Sequence, residues 1–124
     1  MTSGVHHVNL SVPADGVPAM TDWLVGVLGY RPVPGGPEIT ALVEGMGRSL
    51  HWFEAADGHQ VHLSPTDDHA VVPNAHTAVR VDDLDAVVGR LGARGVEVRT
   101  MAFDGDRHAF AADPAGNLWE LVGA

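Results

Sequence analysis

The chain has 124 residues, of which 45% are hydrophobic and 19% charged, with no cysteine and a formal net charge of −9. This length allows one domain with a substantial core, but not two ordinary domains. The acidic balance excludes the basic surface that nucleic-acid binding requires, and no apolar run is long enough to cross a bilayer. The lack of cysteine excludes disulfides and sulfur-ligated metals. Because the N-terminus lacks the basic and apolar regions of a signal peptide, we expect a cytoplasmic protein.

The first half of the chain alternates between short strands and turns around one helix. Alternation over residues 5–12 predicts a strand in which His7, Asn9 and Ser11 share one face. Apolar residues at helical spacing predict a helix over 17–28, ended by Gly29. Further strands are predicted over 30–33, 39–43, 49–54 and 60–64, between loops rich in glycine and proline.

The second half repeats this order after a polar, turn-prone connector over 65–74. A strand over 75–81 precedes a helix that we expect Asp82 to cap and that runs to about Arg94. Three more strands are predicted over 96–101, 107–112 and 118–122.

Two pairs of segments indicate an internal duplication. Residues 57–63 match residues 115–121, so that Gly58 corresponds to Gly116 and His62 to Glu120. The strands over 7–12 and 76–81 both begin with histidine and end in valine. We therefore predict one domain, 1–124, built from two βαβββ modules at about 1–66 and 74–124. Each module begins and ends on a potential metal ligand, and packing around a pseudo-twofold axis would bring the four ligands together.

Four segments carry a resemblance to the vicinal-oxygen-chelate superfamily, also called glyoxalase/bleomycin-resistance/dioxygenase proteins. They are Val5-His6-His7-Val8, Gln60-Val61-His62-Leu63, residues 76–84 and residues 113–121. The resemblance implies an α+β fold in which two βαβββ modules form an incomplete eight-stranded barrel. It also implies one divalent metal ion held by His7, His62, His76 and Glu120, with Glu120 as the catalytic residue. Such ligands suit Zn, Ni, Co, Mn or Fe.

Within this set, His62 has two interpretations. The resemblance gives that position a glutamate ligand in glyoxalases, and often no ligand in dioxygenases and thiol transferases. His62 is therefore a metal ligand or a residue of the pocket.

Strand parity gives the substrate-binding candidates. Asn9, Ser11, Gln60 and Arg80 share a face with the predicted ligands, and Trp52 and Phe110 occupy equivalent places in the two repeats. The two aromatic rings either pack in the core or line a pocket for a small, partly apolar substrate, neutral or anionic. The remaining histidines, His51, His59, His69 and His108, are expected at the surface or in the pocket.

Three functions are compatible with this pattern. The first is a metal-dependent lyase, isomerase or transferase that acts on a small substrate chelated through vicinal oxygens. The second is a metal-free protein that sequesters an antibiotic, and the third is a ring-cleaving dioxygenase. The resemblance and the unpaired sheet edges lead us to expect a homodimer, with each site complete in one chain or shared by exchange of modules.

Overall fold

Two four-stranded sheets with the same strand order form the frame of the computed structural model, which describes residues 1–124. The first sheet has the order β1-β4-β3-β2 and consists of β1 (His7–Pro13), β2 (Arg31–Val33), β3 (Trp52–Glu54) and β4 (Gln60–Thr66). The second has the order β5-β8-β7-β6 and consists of β5 (His76–Arg80), β6 (Arg99–Phe103), β7 (Asp106–Ala112) and β8 (Leu118–Gly123). In each sheet the first and last strands in the chain are parallel neighbours. The duplicated α+β architecture is thus confirmed.

Three helices accompany the sheets. Helix α1 (Val17–Thr21) continues directly into a π-helical segment (Asp22–Val27), and together they occupy the range predicted as one helix. Helices α2 (Pro37–Gly45) and α3 (Leu84–Ala93) follow. No helix combines the length and the apolar character needed to cross a membrane.

Four details of the predicted elements are wrong. The strand predicted over 96–101 spans Arg99–Phe103 instead. Residues 39–43 lie in helix α2 rather than in a strand, and Ile39, Leu42, Val43 and Met46 have the spacing of one helical face. The strand predicted over 49–54 begins only at Trp52. The cap of α3 is Asp83 rather than Asp82, because an Asp83 carboxylate oxygen accepts from the backbone N–H of Ala86 at 3.0 Å.

One apolar core joins both sheets to the helices. Val61 and Leu63 of β4, and Trp119 and Leu121 of β8, are buried in the same cluster as Trp23 of the π-helical segment. The rings of Trp23 and Trp119 lie 6.4 Å apart. Both sheets therefore turn their apolar faces towards the same helices, and their opposite faces lie on the outside of this core.

This packing leaves the two sheets as separate units instead of the two parts of one barrel. The two sheets are not hydrogen-bonded to each other and do not close into a barrel. The incomplete barrel that the resemblance implied is therefore not closed within one chain. The apolar faces of both sheets are buried in the shared core, and the predicted ligands are not part of it.

The turn that precedes the last strand of each module has the same geometry. Gly58 and Gly116 adopt φ angles of 92° and 86°, which favour glycine. In the second module the turn is further held by the buried carboxylate of Asp113. This carboxylate accepts from the backbone N–H groups of Ala115 and Asn117 and from the indole N–H of Trp119, at 2.8, 3.0 and 3.0 Å.

Candidate functional site

The outer face of the second sheet brings His76 and Glu120 together. Their strands are parallel neighbours, and Glu120 pairs with Ala78, two residues along from His76. Nε2 of His76 lies 3.7 Å from Oε1 of Glu120. Nδ1 of His76 lies 3.0 Å from the carbonyl oxygen of Asn74, which can only accept, so Nδ1 carries the proton. In the neutral imidazole, the lone pair of Nε2 then faces a carboxylate oxygen.

Two acceptor atoms that face each other suit a cation between them. Metal bonds of about 2.0–2.2 Å place neighbouring ligand atoms roughly 3 to 4 Å apart. A ligand histidine commonly donates its other ring N–H to a backbone carbonyl, as His76 does to Asn74. The pair therefore has the geometry of two neighbouring ligands of a metal ion.

His108 completes this cluster and was missed by the sequence analysis, which assigned it to the surface or the pocket. It is only 7% exposed, with Nδ1 3.3 Å from Oε2 of Glu120. Its ring stacks on Phe103 at a centroid distance of 3.7 Å. Strand parity could have found it, because His108 lies two residues from Phe110, which pairs with Glu120.

The outer face of the first sheet carries a column of three parallel rings. The ring of His62 stacks on His7 at 4.0 Å and on Trp52 at 4.1 Å, with interplanar angles of 14° and 6°. An imidazole lone pair lies in the plane of its ring, so two stacked rings direct their lone pairs side by side. In this arrangement His7 and His62 do not converge on one metal ion.

His62 also makes a hydrogen bond through the edge of its ring. Its Nε2 donates to the amide oxygen of Gln60 at 2.8 Å, and Gln60 in turn donates to Glu54 at 3.2 Å. Glu54 is ion-paired with Arg31. Burial is the main cause that lowers the pKa of His62 from 6.5 to about 4, followed by the nearby charges of His7 and His6. His62 is therefore neutral throughout the physiological range.

The substrate-binding candidates divide between the two faces. On the first sheet, Asn9 accepts from the hydroxyl of Ser64 at 2.9 Å, and Ser11 is hydrogen-bonded to His69. Trp52 and Gln60 belong to the stack and to the chain of polar groups just described. On the second sheet, the ring of Phe110 lies 6.4 Å from that of His76, and Arg80 lies 3.9 Å from Asp106.

A cavity of about 700 Å³ lies beside the ring column, between α2 and the first sheet. Asn9, Trp52 and His62 line it, and Met46 and Arg48 lie beyond the end of α2 on its other wall. It has the size of a small-molecule pocket. Its lining is partly apolar and includes one arginine.

The four predicted ligands thus form two pairs, His7 with His62 and His76 with Glu120. No group of three or more His, Asp or Glu side chains in the chain has the geometry to hold a metal ion. None of the four side chains belongs to the shared apolar core.

A family comparison agrees with this architecture. Residues 4–121 match the model of the Glyoxalase/Bleomycin resistance protein/Dioxygenase superfamily. The chain belongs to this superfamily. No curated protein matches the sequence significantly.

Solved structures of the superfamily share the fold. A putative glyoxalase family protein from Bacillus anthracis is 21% identical, with a TM-score of 0.82 over 99% of this chain and 96% of that one. The fosfomycin resistance protein FosX from Listeria monocytogenes is 19% identical, with a TM-score of 0.75 over 100% and 95%. Lactoylglutathione lyase from Agrobacterium tumefaciens is 19% identical, with a TM-score of 0.68 over 99% and 95%. At these identities the likeness concerns the fold alone.

Proposed function

We propose that the protein is a divalent-metal-dependent enzyme of glyoxalase type. Its reaction would be that of a lyase, isomerase or transferase on a small substrate bound through two neighbouring oxygens. The observation that carries this proposal is the pair formed by His76 and Glu120. Nδ1 of His76 donates to the carbonyl oxygen of Asn74, and Nε2, the nitrogen left to act as a ligand, lies 3.7 Å from a carboxylate oxygen.

The donor set fits a metal ion without sulfur ligands. Imidazole and carboxylate suit Zn, Ni, Co, Mn or Fe. When bound, such an ion acts as a Lewis acid towards the substrate oxygens. In the proposed site, His76 supplies Nε2 and Glu120 supplies Oε1, while the hydrogen bond from His108 leaves Oε2 of Glu120 engaged.

A second copy of the chain would complete the site. Because no three of the predicted ligands meet within one chain, His7 of one copy would join His76 and Glu120 of the other in a homodimer. Strands β1 and β5, which carry these histidines, are both at sheet edges, and unpaired edges invite further association. All five residues of β6, the other edge of the second sheet, are exposed.

The cavity beside Trp52 would hold the part of the substrate that does not reach the metal. The indole ring and Met46 offer apolar surface, whereas Asn9 and Arg48 offer a polar contact and a positive charge. A small, partly apolar substrate with an anionic group matches this lining. The solved FosX structure adds epoxide antibiotics to the compounds worth testing, beside hemithioacetals and catechols.

Mixing two variants tests the proposed arrangement. His7→Ala and His76→Ala should each lose metal binding as homodimers. In a heterodimer of the two, one site keeps both histidines intact and the other lacks both. Unfolding and refolding an equal mixture should therefore restore up to one metal ion per mixed dimer, measured by elemental analysis after dialysis.

The controls are the two variants refolded separately, and light scattering of the parent. If the mixture binds no more metal than the separate variants, the shared site is wrong. If the parent is a monomer at micromolar concentration, the dimer is wrong. If the parent binds no divalent metal at all, the enzyme proposal itself is wrong.

Sequestration of a drug is a second candidate, favoured by the ring column. Trp52 and His62 are parallel within 6° and border the cavity, which is a suitable surface for a planar ligand. Calorimetry with bleomycin-like and quinone drugs, with and without a chelator, separates the two functions. Tight drug binding with the same affinity in the presence and absence of the chelator, without turnover of any substrate, would favour sequestration. Oxygen uptake with catechols would instead indicate a dioxygenase.

A further inference from the structure

His108 is among the few polar residues buried in this chain, and it touches a proposed ligand. It is 7% exposed, and Nδ1 lies 3.3 Å from Oε2 of Glu120. An ionised carboxylate only accepts hydrogen bonds, so the proton of the neutral imidazole is on Nδ1 and is donated to Glu120. Because Phe110 pairs directly with Glu120, His108 reaches the carboxylate diagonally from the neighbouring strand.

The other ring nitrogen of His108 is left without a partner. Nε2 is buried and makes no hydrogen bond, while one face of the ring is covered by Phe103 at 3.7 Å. A buried polar atom without a partner costs stability, so an apolar side chain would suit this packing better than a histidine. The use of histidine here is explained by the bond that its other nitrogen makes.

We infer that His108 is a positioning residue for Glu120. Its N–H holds Oε2 and so directs Oε1 towards Nε2 of His76, at 3.7 Å. This inference rests on the proposed metal site, because a fixed carboxylate matters most where it is a ligand. Partners of ligand carboxylates and imidazoles set the orientation of the ligands in many metal sites.

Two variants of nearly equal shape test the role of the donor. In His108→Asn the side-chain amide nitrogen takes the place of Nδ1 and can still donate, whereas His108→Leu has the same branching and no donor. We expect His108→Leu to weaken zinc binding, measured by competition with a chelating dye, by about 10- to 100-fold. His108→Asn should stay within about threefold of the parent, because the hydrogen bond to Glu120 is kept.

Thermal unfolding and crystal structures of both variants complete the test. The midpoints should stay within about 5 °C of the parent, which excludes unfolding as the cause of weaker binding. The structures need no metal: the Glu120 carboxylate should keep its orientation towards His76 in His108→Asn and rotate in His108→Leu. Equal zinc affinity of the two variants, or an unchanged carboxylate in His108→Leu, would overturn the inference. A parent that binds no zinc would refute the proposed function, while the carboxylate orientation would still decide the role of His108.

Discussion

On the second sheet, His76 and Glu120 direct two acceptor atoms at each other across 3.7 Å, whereas on the first sheet His7 and His62 stack ring on ring at 4.0 Å. Both pairs lie on parallel edge and inner strands in equivalent sheets. The difference comes first from the residue on the inner strand, which is a carboxylate at Glu120 and an imidazole at the equivalent His62. His76 gives its N–H to a backbone carbonyl, and His62 gives its N–H to Gln60. Equivalent positions on a duplicated backbone thus carry different capacities to bind a cation.

The largest effect is expected from removing the charge that makes the second face distinct. Glu120→Gln keeps the size of the side chain but takes away the anionic ligand, so metal affinity should fall by about 100-fold or more and turnover should stop. The fold should remain, because glutamine has nearly the same size and its amide oxygen can still accept the hydrogen bond from His108. Isothermal titration with zinc and circular dichroism measure the two quantities. Glu97→Gln, an exposed change in the same module, is the matched control and should bind zinc as the parent does.

A large loss of stability is expected where the second turn differs from the first. Asp113 is 5% exposed and accepts three hydrogen bonds, whereas Ala55 has the corresponding place in the first turn. Asp113→Ala should therefore lower the free energy of unfolding by about 3–4 kcal/mol, because several buried donors lose their acceptor. Urea unfolding measures it. Asp57→Ala, in the exposed first turn, should change stability much less. Equal losses would show that the buried carboxylate does not distinguish the turns.

The stacked face should make stability depend on pH in the metal-free protein. His62 has a pKa of about 4 in the folded chain and about 6.5 when unfolded, so the unfolded chain binds its proton more tightly. The contribution of His62 to stability is complete above pH 6.5 and, allowing for screening by solvent, should fall by about 1–2 kcal/mol as the pH drops towards 4. Chemical unfolding at several pH values, with chelator present, follows this loss. His62→Leu should flatten the curve in this window, and an unchanged curve would contradict the assignment.

The sequence predicted the duplicated fold because its signals were local and repeated. The glycines of the two turns and the alternation of strands do not depend on distant contacts, and the family motifs imply the two-module architecture. The strand predicted over 39–43 was wrong because β-branched residues outweighed a helical spacing that begins at Pro37. For the site, the sequence predicted which residues share a face of each sheet, but not which of them meet. Parity places each ligand on a face, but whether two faces meet depends on the side from which both sheets contact the helices, and this is a property of the tertiary packing.

The smallest effect on zinc affinity is expected from the substitution of His62, which belongs to the stacked pair on the first sheet. If stacking and the bond to Gln60 keep His62 from binding metal, His62→Leu should change zinc affinity by less than about threefold, while His76→Leu should weaken it by about 100-fold. The two substitutions remove the same group, one from the inner strand of the first module and one from the edge strand of the second, so each controls for the loss of an imidazole in the other. Cobalt provides a second measurement, since the visible spectrum of a cobalt-loaded protein reports the ligands directly. The spectrum should be preserved in His62→Leu and lost in His76→Leu. An equal loss in both variants would mean that the ring column opens when metal binds and that His62 is a fourth ligand.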